Sequence, residues 1–198
     1  GHLKIGVSST LCKYILLPYL KEFIRRNPHI SISISCHSTN DTLALLEDDK
    51  IDIGLVGKPD NMRNLQFDYV EEIEDIFVAT KEYLRNLHAR GVSKDQILPN
   101  SILMLLDKNN MTRQYIDDYL QENQIQVRDS IDISSMDLLI DFARIGVGVA
   151  CVIKSFVKKD LADGSLMEIP LGIPIHKREV GFAYKAGTKP SKSLAAFI

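Results

Sequence analysis

The sequence predicts an α/β protein of two Rossmann-like βαβαβ lobes joined by two crossover strands. Three observations carry that prediction. A strand–helix–strand–helix–strand pattern occurs twice along the 198 residues. Hydroxyl-rich or amide-rich stretches follow the strands at matching positions in both copies. A strand-like segment lies between the copies, and another lies near the end of the chain.

The first copy opens on the apolar strand Leu3-Lys-Ile-Gly-Val7, followed by Ser8-Ser9-Thr10. Ile15, Leu16, Tyr19, Leu20, Phe23 and Ile24 then recur at helical spacing, which predicts one buried face. Pro18 must occupy the first turns of that helix or kink it. Asn27-Pro28 ends it, because the residue before a proline is pushed out of helical geometry. Ile30-Ser-Ile-Ser-Ile-Ser35 alternates strictly, the pattern of a strand with one buried face. Thr39-Asn40 is placed to cap a second helix running to Asp49, and residues 51–56 form a third, buried strand.

The second copy begins with the strand Ile102–Leu106 and the polar stretch Asp107-Lys-Asn-Asn-Met-Thr112. A helix over residues 113–123 presents Tyr115, Ile116, Tyr119 and Leu120. Residues 127–133 alternate as a strand. Ser134-Ser135 opens a helix expected to turn Leu138, Leu139, Phe142 and Ala143 inward. Gly146 stops that helix, and residues 147–153 are the closing strand. Strands separated by helices of this length are expected to lie parallel. Residues 74–80 and 178–185 are the expected crossovers, and the start of a helix is expected at residues 190–198. These place lobe I at residues 3–79 with 184–198, and lobe II at 80–183.

Composition bounds what the chain does. It is 45% hydrophobic and 25% charged, with a formal net charge of −2, which gives no global attraction to a phosphate backbone. No apolar run approaches the roughly 20 residues of a membrane span. Cys12, Cys36 and Cys151 are odd in number and set in apolar stretches, which predicts neither a disulfide framework nor a metal site and fits a cytoplasmic protein. Gly1-His2 reads as the remnant of a cleaved tag, so the natural start is expected upstream. The nucleophile elbow, the phosphate-binding Gly-x-x-x-x-Gly-Lys loop, His-Glu-x-x-His and Cys-x-x-Cys are not in the sequence. Binding without catalysis, cofactor or metal is therefore expected.

In open parallel sheets, ligands sit beyond the carboxyl ends of the strands, where helix N-termini converge. The residues expected there are Ser8, Ser9 and Thr10, Gly57 with Lys58, Asn109 to Arg113, and Ser134, Ser135 and Met136. Hydroxyls backed by unpaired helix N–H groups suit a carboxylate, phosphate or sulfate. Each serine cluster taken alone is accounted for by helix capping. A polar cluster at matching positions in both halves is the pattern of a shared site for a small anion. Arg113 and Lys58 would balance its charge or serve as ordinary surface charges, and Leu11 and Met136 would admit an apolar tail.

The same residues resemble the effector-binding domain of LysR-type transcriptional regulators, whose fold is that of type 2 periplasmic binding proteins. The resemblance is carried by Leu3-Lys-Ile-Gly-Val-Ser-Ser-Thr10 with Leu16-Leu-Pro18 and Phe23-x-x-x-Asn27-Pro28, by Leu45-Leu46 with Ile51-Asp-Ile-Gly-Leu55, and by Ala143-Arg-Ile-Gly-Val-Gly-Val-Ala150. It covers nearly the whole chain. It implies effector contacts at Ser8, Ser9, Thr10, Gly57, the Asn109 to Thr112 loop, and Ser134, Ser135 and Met136. Gly57 stands where some relatives have a hydroxyl residue, so only its backbone would contribute. The resemblance further implies a homodimer through this domain, with residues 16–26 of one copy near residues 137–144 of the other. A tetramer is implied when full-length, with DNA contacted only by an N-terminal winged helix-turn-helix outside these residues. A solute receptor of a transporter is the alternative on this fold. An enzyme such as prephenate dehydratase is a further one, although Thr112-Arg113 is followed here by Gln114 and not by that family's phenylalanine.

Overall fold

The computed structural model describes residues 1–187 and 189–198, and every side chain among them except that of Met111. The chain divides into two compact units, Gly1–Glu72 with Arg178–Ile198 and Ile73–Lys177. Strand pairing sets these limits, which lie earlier than residues 79 and 183. Asp75–Ala79 pairs within the second sheet and Arg178–Lys185 within the first, so each expected crossover strand belongs to the unit it enters.

Unit 1 contains β1 (His2–Val7), the helical run α1 (Ser9–Leu11), a π-helical turn (Cys12–Leu16) and α2 (Leu17–Arg26), then β2 (Ser31–Cys36), α3 (Thr39–Glu47), β3 (Ile53–Gly57) and β4 (Leu65–Ile73). Its sheet runs β2-β1-β3-β10-β4, with β10 spanning Arg178–Lys185. β2, β1 and β3 are parallel and β10 is antiparallel to β3, so the sheet is mixed where a parallel one is expected. β4 has no counterpart in the sequence reading. Leu3, Ile5, Val7, Ile53 and Leu55 are fully buried along the central strands. Pro18 sits in the first turn of α2, directly after the π turn, in which the Leu17 N–H reaches back to the Cys12 carbonyl. The widened turn accommodates a proline that cannot donate to the ladder.

The helix faces are narrower than the sequence pattern suggests. Leu16, Leu20 and Phe23 are buried, while Ile24 is half exposed and Tyr19 lies at the margin. Tyr19 packs with Phe23, Phe182 and Phe197 in a cluster of tilted and edge-on rings. Phe197 belongs to the C-terminal helix Lys192–Phe197, which Ser191 caps. β2 is an edge strand, so the face expected to be buried is only partly covered: Ile32 is half-buried and Ile34 exposed.

Unit 2 contains β5 (Asp75–Ala79), α4 (Lys81–Ala89), β6 (Ile102–Leu106), α5 (Met111–Glu122), β7 (Asp129–Ile133), α6 (Met136–Arg144), β8 (Val149–Ile153), α7 (Lys158–Asp163) and β9 (Met167–Glu168). Its sheet order, β7-β6-β8-β5-β9, repeats that of unit 1, with β7, β6 and β8 parallel and β5 antiparallel to both its neighbours. Phe77, Leu103, Leu105, Ile116, Leu120 and Val149 form the centre of one core cluster. On α6, Met136, Leu139, Ile140 and Ala143 face inward. Leu138 and Phe142, expected inward, are exposed together with Ile145. At 3.6 residues per turn one stripe buries 136, 139, 140 and 143, and the stripe through 138, 142 and 145 falls outside it. Gly146 ends the helix at φ +82°, a conformation that costs a side chain but not glycine.

Candidate functional site

β1 and β2 run parallel in register, so their carboxyl ends, Val7 and Cys36, lie side by side. A helical N-terminus follows each. Ser8, in extended geometry, caps the first: its hydroxyl accepts from the Leu11 N–H at 3.2 Å and its carbonyl from the Cys12 N–H at 2.9 Å. Ser8 is therefore committed to the helix. The N–H groups of Ser9 and Thr10, at the first two helical positions, fall outside the intrahelical ladder. The exposed Ser9 and half-buried Thr10 hydroxyls make no hydrogen bond among the described residues. α3 is capped by Ser38, one residue before the expected Thr39-Asn40, with its hydroxyl accepting from the Asp41 N–H at 3.2 Å. Ser38-Thr-Asn-Asp41 has the spacing of a capping box, a signal already in the sequence. Gly57 ends β3, and a Cβ there would meet nothing nearer than the Glu179 carbonyl at 4.0 Å. A hydroxyl residue would fit.

The arrangement recurs in unit 2. β6 and β7 pair in register to their ends, Leu106 opposite Ile133. Asn110 caps α5, its Oδ1 accepting from the Thr112 N–H at 2.8 Å, while Asn109 is exposed and Thr112 half-buried. Met111 lies outside the described side chains. Ser135 caps α6 through the Leu138 N–H at 3.3 Å. Ser134 is exposed and makes no hydrogen bond among the described residues. Met136 is 2% exposed, so it offers a ligand its backbone N–H and not its side chain. Leu11 is buried likewise. Within each unit the predicted residues thus gather at the carboxyl ends of the parallel strands: Ser8–Thr10 with Gly57, and Asn109–Thr112 with Ser134–Met136.

The two candidate cations are already engaged. Arg113 is 7% exposed, with Nη1 donating to Asp132 at 2.6 Å and to the Leu106 carbonyl at 2.9 Å, and Nε donating to Asp117 at 2.9 Å. Burial opposes its charge, but the hydrogen bonds it donates to Asp117 and Asp132 outweigh that and hold its pKa above the usual value. It braces the end of β6 against β7 and α5. Lys58 pairs with Glu179 at 3.3 Å on the surface.

One contact had no signal in the sequence. Cys12 and Cys36, far apart along the chain, come together where α1 and β2 end, with the Cys36 side chain near enough to act on the Cys12 thiol. Burial, then the neighbouring Cys36, pushes the Cys12 thiol up. Cys36 is exposed, Cys12 is half-buried, and Cys151 is in the core. No helix among the described residues is long and apolar enough to cross a membrane.

This architecture and its sequence are shared with known proteins. The chain is 24% identical over 198 residues to the HTH-type transcriptional regulator CysL of Bacillus subtilis, covering all of this chain and 66% of that one. It spans about two thirds of the length of the curated relatives it matches first. Among solved structures, the regulatory domain of Synechocystis PCC6803 CcmR in complex with 2-PG superposes with a TM-score of 0.82 at 20% identity, covering 100% of this chain and 93% of that one. The effector-binding domain of QuiR in complex with shikimate gives 0.79 at 18% identity, again covering 100% and 93%. At such identities these two show a common fold, that of type 2 periplasmic binding proteins. The LysR substrate binding domain model matches residues 1–198. The chain belongs to the LysR substrate-binding domain family.

Proposed function

We propose that this chain is the effector-sensing part of a LysR-type transcriptional regulator and that its effector is a small anion. The observation that supports this reading best is the repeated carboxyl-edge arrangement, in which capped helix N-termini carry hydroxyls without partners among the described residues at Ser9, Thr10 and Ser134. An oxyanion there would accept hydrogen bonds from those hydroxyls and from the first-turn N–H groups, helped by the helix dipoles. The residues expected to contact it are Ser8–Thr10 and Gly57 in unit 1, and Asn109, Thr112 and Ser134–Met136 in unit 2. Ser8 and Ser135 act as caps that hold the neighbouring N–H groups in place.

The regulator would act in the cytoplasm as a homodimer. Exposed Leu17 and Ile24 on α2, and exposed Leu138, Phe142 and Ile145 on α6, supply apolar surface on the two helices that the family resemblance pairs between copies. A tetramer when full-length, and DNA contact through a winged helix-turn-helix upstream of these residues, complete the reading. The QuiR and CcmR domains, with shikimate and 2-PG bound, support small polar anions as the ligand class.

The test is isothermal titration calorimetry of the chain against sulfate, phosphate and a panel of small carboxylates. At least one anion should bind, and Thr10→Ala or Ser9→Ala should weaken it about tenfold, the loss of one charge-assisted hydrogen bond. Ser134→Ala should cost less, because the α5 end beside it already holds the Arg113–Asp117–Asp132 cluster. Ser8→Ala is the poorer probe, since it also removes a cap. If no anion binds, or Thr10 and Ser9 variants bind as the parent does, the reading is wrong.

A further inference from the structure

We propose that Cys12 and Cys36 form a peroxide-oxidisable dithiol whose disulfide locks the start of the α1–α2 helical run to the end of β2. The geometry rests on four features. Cys36 is the last residue of β2 and lies in register with Val7, the last residue of β1. Cys12 opens the π-helical turn four residues after Ser8, and its N–H is fixed to the Ser8 carbonyl at 2.9 Å. The His37 N–H is held by the Val7 carbonyl at 3.0 Å, which anchors the chain just beyond Cys36. Both backbones are therefore pinned at the place where the two side chains meet. The two sulfurs also differ in access, Cys36 being exposed and Cys12 half-buried.

That difference assigns the order of the chemistry. The Cys36 thiolate attacks hydrogen peroxide, the O–O bond breaks, and Cys36 becomes a sulfenic acid as the departing hydroxide takes up a proton to leave as water. The Cys12 sulfur then attacks the Cys36 sulfur. The S–O bond breaks, and hydroxide leaves with the proton from Cys12 as a second water. Two thiols and one peroxide give one disulfide and two waters, and two electrons pass from sulfur to oxygen. Burial raises the Cys12 thiol, so Cys12 is not the sulfur that meets the oxidant first, and its proton leaves as it attacks the sulfenic acid.

The cross-link would span the π turn, where the helical ladder is already irregular, and would restrain the segment that carries Ser9 and Thr10. A change in anion affinity on oxidation follows only if the effector reading above holds. The cross-link and the ordering of the segment do not depend on it.

The experiment treats the chain with stoichiometric hydrogen peroxide, alkylates free thiols, and maps peptides by mass spectrometry beside hydrogen exchange. The expected result is an intramolecular Cys12–Cys36 disulfide that dithiothreitol reverses, with Cys151 still a thiol. Exchange over residues 9–17 should slow about tenfold in the oxidised form. In Cys12→Ser, Cys36 should instead be trapped by dimedone as a sulfenic acid, and Cys36→Ser should give no cross-link. Overoxidation of Cys36 without a cross-link in the parent, a disulfide between two copies through Cys36, or unchanged exchange over residues 9–17 would each overturn the proposal. Anion titration of the reduced protein is read separately, so failure to bind there counts against the effector reading alone.

Discussion

The two units share a topology and differ in how they hold the edge where their helices begin. Unit 1 orders its strands β2-β1-β3 and unit 2 β7-β6-β8, each with an antiparallel strand beside the third. In unit 2 a buried guanidinium, Arg113, ties β6, β7 and α5 together, and a second pair, Arg144–Asp160, fixes α6 to α7. In unit 1 Glu22 pairs with Arg25 and Arg26, Lys58 with Glu179, and Lys185 with Asp49, all at the surface. Its packing is apolar and aromatic, to the extent that Thr42 is fully buried with no partner for its hydroxyl. One repeat can thus be braced by charge and the other by shape. Where the helices begin, unit 1 carries the surface pair Lys58–Glu179 and unit 2 the buried Arg113.

The largest break in that contrast should come from Arg113→Ala. The guanidinium makes three hydrogen bonds while 7% exposed, so its removal opens a cavity and strands the Leu106 carbonyl. The released Asp117 and Asp132 are nearly half exposed and can rehydrate, which tempers the penalty. We expect a loss of about 3 kcal/mol in urea denaturation, with faster hydrogen exchange over β6, β7 and α5 and unchanged exchange in β1–β3. A loss below about 1 kcal/mol would mean that the brace is ornamental.

The Arg144–Asp160 pair sharpens the contrast through pH. Asp160 is 7% exposed, and its oxygens accept from Arg144 Nε and Nη2 at 2.8 and 2.9 Å and from Ser165 Oγ at 3.0 Å. The Arg144 guanidinium, above all, lowers the Asp160 pKa below the usual carboxylate value, although burial alone would raise it. A folded-state pKa below the unfolded value of about 3.9 gives stability that is complete above that pH. It is lost as pH falls through the folded pKa. Arg144 stays charged across this window, its pKa being raised by the same carboxylate. Arg144→Gln should therefore cost about 2 kcal/mol at pH 7, discounted because Arg144 is half exposed. The gap to the parent should close as pH falls below about 4. A gap that stays constant in parallel thermal melts down to pH 3 would assign the cost to packing.

How far these differences could be read in the sequence follows from the range of the interactions. The βαβαβ repeat, the stop at Gly146 and the caps at Ser8 and Ser135 are local, written in spacing and in the residue types at helix ends. Each appears where the pattern puts it, with Ser38 displaced by one residue from Thr39. The outward face of α6 was less legible, because Leu138 and Phe142 have the same character as Leu139 and Ala143 and only the sheet decides which stripe it covers. The partners of Arg113 and the meeting of Cys12 with Cys36 had no signal, since each depends on strand register between distant segments. Charge and thiol chemistry read singly left both open.

The smallest effect expected, and the one of opposite sign, is at Thr42. Its Oγ1 is buried without a partner, while its Cγ2 lies 2.7 Å from where a Cβ of Gly54 would stand and 3.0 Å from that of Gly6. The two glycines let α3 approach β1 and β3 closely, and that closeness excludes a second polar group. A hydroxyl held in such a place forgoes its bonds to water with no return. Thr42→Val keeps the branched shape and exchanges the hydroxyl for a methyl, so it should stabilise the protein by about 1 kcal/mol. Thr42→Ser, which keeps the hydroxyl and deletes the packed methyl, should destabilise by a similar amount. If unit 1 is held by shape alone, the two substitutions move the midpoint of urea unfolding in opposite directions. If valine destabilises, the hydroxyl has a partner in solution, such as a buried water, and unit 1 contains a polar brace of its own after all.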